Sequence, residues 1–189
     1  LYGREADAQQ IVAAFQAAAM GKPGFLLLEG PAGIGKSALV NDVLRGIVDH
    51  NGFYLRGKFD KFRSDRPYAA LSQALGELVD QLLKEPEERL DHWKAAILEA
   101  LGPNGRLATD LVPELARILG PQPPLPPLNP TEEQNRFLST IRSLIAVFAR
   151  PEHPVALFLD DLHWSDVPTL KLLQSLLAVV LQQAAVQLR

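Results

Sequence analysis

The stretch GPAGIGKSA (residues 30–38) follows the apolar run FLLLE (25–29) and leads into a segment with helical periodicity. Residues 24–29 are short and nearly all apolar, the pattern of a strand covered on both faces of a parallel sheet. From Lys36 to about residue 50, Leu39, Val43, Leu44, Ile47 and Val48 recur at helical spacing, and Asn51-Gly52 closes the run. A glycine turn between a strand and a helix brings inward-pointing backbone amides and the helix N-terminus onto one anion. The alternative for such a turn is a flexible corner.

Gly30-x-x-x-x-Gly35-Lys36-Ser37 has P-loop spacing, and the flanking strand and helix are the context that gives this spacing its meaning. Gly30, Gly33 and Gly35 allow positive φ and close approach of the backbone to a phosphate, while Pro31, Ala32, Ile34 and Ala38 complete the loop. Lys36 is expected to reach the β- and γ-phosphates, and the Ser37 hydroxyl to ligate Mg²⁺.

Working outward, GFYLRGKF (52–59) reads as a second strand, so residues 24–59 form a β-α-β unit with a right-handed crossover. Residues 5–19 place Ile11, Val12, Phe15, Ala18 and Ala19 on one helical face. Helical patterns at about 68–84, 87–101 and 105–119 make a helical insert over 67–120, broken at Glu85-Pro86 and Gly102-Pro103. PQPPLPPLNP (121–130) must run extended, because proline lacks the amide donor; it is either a connector or a PxxP ligand. Thr131 is expected to cap a helix to about residue 149, with Glu133 and Gln134 near its third position.

VALFLDD (155–161) is a third apolar strand pattern, and it ends in two carboxylates. At the carboxyl end of a parallel strand beside the phosphate crevice, Asp160 suits a water-mediated Mg²⁺ contact. Asp161 is either the group that polarises an attacking water or a cap for the next turn.

The 189 residues carry a net charge of −3 and no cysteine, which leaves no cationic field for nucleic acid or an anionic membrane and excludes thiolate chemistry. The most apolar segment, TLKLLQSLLAVVLQQAAV (169–186), is interrupted by Lys171 and glutamines and reads as a buried helix. No targeting segment is visible at the N-terminus, and the cytoplasm is the expected compartment.

YGRE (2–5), GPAGIGKS, GKFD (57–60) and LFLDDLHWSD (157–166) together resemble the STAND branch of P-loop ATPases, close to AAA+ and origin-recognition-type domains. More narrowly, the chain is similar to the ATPase module of large bacterial serine/threonine kinase and sensor histidine kinase hybrids. That resemblance implies a three-layer αβα fold with a parallel sheet in strand order 5-1-4-3-2. It also implies ATP bound by residues 30–38, Mg²⁺ held by Ser37 and Asp160, and catalysis by Asp161 with Lys36. The segment containing Tyr2, Gly3 and Arg4 would lie on the adenine side, or Arg4 would pair with a surface carboxylate; Arg136 would be solvated or reach a phosphate or a neighbouring subunit. Trp164 and Asp166 are typical of the group, and His163 has no second ligand.

In such ATPases a further strand inserts between the first and third, and here VQLR (186–189) is at most its beginning. The expectation is therefore an α/β ATPase domain over 1–189, incomplete at its C-terminus, with unpaired strand edges and exposed apolar surface. The function implied is a nucleotide-dependent switch with slow ATP hydrolysis, its partners being other domains of the same polypeptide and a second copy of the chain. The alternatives are a DNA-associated origin-type or transcription-regulating ATPase and a nucleotide-binding scaffold without turnover.

Overall fold

The computed structural model describes residues 3–48, 52–61 and 66–186. Its centre is a parallel pair of strands, β1 (Phe53–Lys58) and β2 (Val155–Asp160), in register from Phe53 opposite Val155 to Lys58 opposite Asp160. The pairing sets Gly57 and Lys58 of GKFD beside Leu159 and Asp160 of LFLDD.

Side chains alternate across this pair, as strand geometry requires. Tyr54, Ala156 and Phe158 pack against Ile11, Phe15, Leu39, Val40 and Leu44 of α1 (Glu5–Ala19) and α2 (Lys36–Val48). Leu55, Phe53, Val155 and Leu157 face the larger core on the opposite side. That core is built by α3 (Ala69–Leu82), α4 (Glu87–Leu101), α5 (Gly105–Leu111), α6 (Ala116–Leu119) and α7 (Pro130–Phe148), with Leu172 of α8 (Val167–Val186). Trp93 of α4 meets Phe53 edge-on at 5.8 Å between ring centroids, which ties the insert to the sheet.

Gly57 sets the distance between β1 and α3. A Cβ there would lie 2.8 Å from the carbonyl carbon of Ala70 and 2.9 Å from Leu159 Cδ2, and closer still to the Ala70 carbonyl oxygen. The helix therefore rests directly on the strand backbone at the end nearest the two carboxylates.

Several expectations are corrected. Residues 24–29 form no strand: their backbone pairs with no other strand among the described residues, and Phe25, Leu26 and Leu27 are exposed. A strand exists through its ladder, and neither β1 nor β2 pairs with this run, so its apolar composition is not enough. Consequently the sheet has two strands among the described residues, and β2 is only half-buried along its length. The 105–119 helix is divided, because Pro113 has no amide to donate and its preceding residue, Val112, turns extended (φ −124°, ψ 85°). Asn129, rather than Thr131, caps α7: it accepts from the Glu132 amide in a capping box, with Pro130 at the first helical position, where its fixed φ fits. The helix at 169–186 forms within α8, but it is not buried throughout: Leu172 is buried whereas Leu170 is exposed. The connector stays extended and is braced by Arg136, which donates to the Pro126 carbonyl at 3.1 Å.

Candidate functional site

The glycine turn packs onto the start of α2, and Leu39 and Val40 one turn later are buried against α1. This burial fixes the helix whose free N-terminal amides and positive dipole end face the turn. Gly33 (φ 80°) and Gly35 (φ 87°) occupy the left-handed region, where a side chain is strained. A Cβ at either would meet nothing within 4 Å, so conformation and not protein crowding requires glycine there, and the space is open to a ligand. Lys36 Nζ donates to the Gly30 and Pro31 carbonyls at 2.8 and 3.1 Å, laying its ammonium across the loop.

Ser37, the second residue of α2, donates from Oγ to Asp160 Oδ2 at the end of β2, 2.7 Å away. The separation is that of a charge-assisted hydrogen bond, and a hydroxyl beside a carboxylate is a donor set that suits a hard cation such as Mg²⁺. Among the described residues no cluster of three or more His, Cys, Asp or Glu could hold a metal alone. A single carboxylate with a hydroxyl matches the way Mg²⁺ sits, completed by phosphates and water.

Asp161 leaves the strand with φ 56°, ψ 43°, a conformation that aspartate tolerates better than most residues. Its amide donates to Asp160 Oδ1 at 3.0 Å, and its side chain makes no cap bond; instead Asp161 Oδ2 lies 3.4 Å from Lys58 Nζ. The capping alternative is thus not the one adopted. Lys58 stands beside Asp161 and Gly57 precedes it in β1, a placement that pattern reading passed over although GKFD carried both.

Beyond the carboxylates, Asp166 accepts from the Thr169 amide and hydroxyl at 2.7 Å, and the Tyr68 amide donates to Thr169 Oγ1 at 3.0 Å. Tyr68 itself holds φ 65° at the start of α3 and stacks at 4.7 Å on Phe137. Burial raises the Tyr68 hydroxyl pKa above its ordinary value, and the Asp166 carboxylate adds to the rise. Trp164 is exposed, with Lys61 Nζ 5.3 Å above its ring, and the His163 ring lies tilted against it at 4.9 Å between centroids.

Arg4 sits against the loop: Nη1 donates to the Ile34 carbonyl at 3.2 Å and Nε to Asp7 Oδ2 at 3.0 Å. Tyr2 lies outside the described residues.

Residues 1–188 match one family pattern from end to end. The chain belongs to the AAA ATPase domain family. This AAA ATPase domain is 32% identical over 177 residues to hybrid signal transduction histidine kinase G of Dictyostelium discoideum, covering 94% of the chain and 5% of that protein. It is 24% identical over 162 residues to histidine protein kinase 1 of Candida albicans, covering 78% of the chain and 7% of that protein. The domain thus spans a small fraction of the length of these curated relatives. No solved structure matches it. No described helix is long and apolar enough to cross a membrane.

Proposed function

We propose that this domain binds ATP with Mg²⁺ and serves as a nucleotide-dependent regulatory switch of the STAND type inside a multidomain signalling protein. Residues 30–38 hold the triphosphate, Lys36 neutralises its β- and γ-phosphates, and Ser37 and Asp160 hold the ion. Asp161 orients the attacking water in a slow hydrolysis that resets the switch. The observation that carries this reading is the 2.7 Å contact between Ser37 and Asp160, which joins the glycine turn to the acidic strand end. The two relatives are named as histidine kinases, which supports a signalling role with kinase or sensory domains as partners in the same polypeptide. The acidic balance of the chain also favours this role over one on DNA.

Substituting Lys36→Ala tests the reading. Removal of the ammonium, a donor to charged oxygens worth about 1.5–3 kcal/mol per bond, is expected to weaken ATP binding by roughly a hundredfold in calorimetry. Undiminished affinity would refute the assignment. Asp161→Asn is expected to keep ATP affinity and reduce turnover by about 10²-fold or more.

A further inference from the structure

We infer that Arg4 is a positioning residue for the phosphate loop: by holding the Ile34 carbonyl it turns the Gly35 amide hydrogen toward the bound phosphates. The inference rests on the phosphate reading of residues 30–38.

A trans peptide is planar, so the carbonyl of Ile34 and the N–H of Gly35 point in opposite directions. Arg4 Nη1 takes the Ile34 oxygen at 3.2 Å on the α1 side of the loop, which leaves the Gly35 N–H directed away from Arg4. Among the described residues no protein acceptor receives that N–H. Ile34 is flanked by Gly33 and Gly35, both at positive φ, and the residue is 52% exposed. Glycine crosses between positive and negative φ at little steric cost, so this peptide can rotate with little resistance from its own covalent geometry. The bond of 3.4 Å from the Ile34 amide to the Pro31 carbonyl holds the preceding Gly33–Ile34 peptide, and among the described residues the Ile34–Gly35 peptide itself is held by Arg4 alone. An external brace is therefore what fixes the plane.

Arg4 is suited to the task. It precedes α1 directly, and Asp7 in the first turn of that helix anchors its Nε at 3.0 Å, leaving the rest of the planar fork aimed at Ile34. The side chain of Arg4 is 22% exposed overall, while its bond to the Ile34 carbonyl lies in an exposed position. A loop with the amide already turned loses less freedom on binding than one that must reorient it. This role is independent of the base. It also explains why the arginine sits beside Asp7 in the sequence: the carboxylate aims the guanidinium and offsets its charge.

The experiment compares ATP with inorganic triphosphate, each with Mg²⁺, in the full-length protein and in its Arg4→Ala and Asp7→Ala variants. Arg4→Ala is expected to weaken both ligands by the same factor, about tenfold. Asp7→Ala separates bracing from charge, since deleting an anion would tighten a triphosphate by electrostatics alone, whereas a slackened brace weakens it. The expected result is weaker binding of both ligands, by roughly threefold. A ligand-free readout keeps this inference separate from the phosphate reading: backbone order parameters at Gly33 and Gly35 should fall in Arg4→Ala with no nucleotide present. Selective loss of ATP with triphosphate unchanged would make Arg4 a base contact, and tightening in Asp7→Ala would reduce it to a charge. Unchanged order parameters would remove the brace altogether. If the parent protein binds neither ligand while the order parameters still fall, the phosphate reading fails and the brace stands.

Discussion

The Ser37 hydroxyl and the Asp160 carboxylate meet at 2.7 Å across 123 residues of sequence, closing the gap between α2 and the end of β2. The bond is charge-assisted, and both partners are part-buried. Asp160→Asn keeps the shape and removes the charge that an ion needs. We expect ATP affinity of the variant in Mg²⁺ to fall to that of the parent protein in EDTA. Titration calorimetry under both conditions checks this, and an Mg²⁺ effect that persisted in the variant would place the ion elsewhere.

Gly57 and Gly76 give opposite expectations for the same substitution. At Gly57 the added Cβ collides with the Ala70 backbone, which cannot give way without lifting α3 from β1. Gly57→Ala should cost roughly 3 kcal/mol in urea denaturation. At Gly76, within α3, the nearest atom is Glu114 Cδ at 3.3 Å, the end of a movable side chain. Gly76→Ala should be neutral or stabilising by up to about 1 kcal/mol, from helix propensity.

Lys58 and Asp161 form an ion pair at 3.4 Å with side chains 62% and 39% exposed, so water screens it. A double-mutant cycle of Lys58→Met and Asp161→Asn should give a coupling below about 1 kcal/mol in stability. A larger coupling would mean that the pair is a structural element rather than a loose contact between functional groups.

Tyr68 supplies a pH dependence. Burial, then Asp166, raises its pKa above its ordinary value, so the folded state favours the neutral phenol. The associated stability is present below about pH 10, the ordinary tyrosine pKa, and is lost as pH rises through the folded value. Denaturation series above pH 9 should fall less steeply in Tyr68→Phe than in the parent, and identical slopes would show that this phenol does not contribute.

Local pattern was enough for the glycine turn, its following helix and the acidic strand end, because each depends on residues adjacent in the chain: positive φ needs glycine, and helical burial needs apolar spacing at 39, 40 and 44. The same reading made a strand of 24–29, where composition fits but a ladder partner is missing among the described residues. It anticipated a carboxylate partner for Arg4, which is Asp7, but missed the Lys58 ion pair, the Arg4 contact with Ile34 and the crowding at Gly57. Those three depend on which strands lie in register and which helix lands on them. Such long-range contacts leave no periodic trace in the chain, since a hydrogen bond or a collision between segments is set by three-dimensional distance and not by spacing along the sequence.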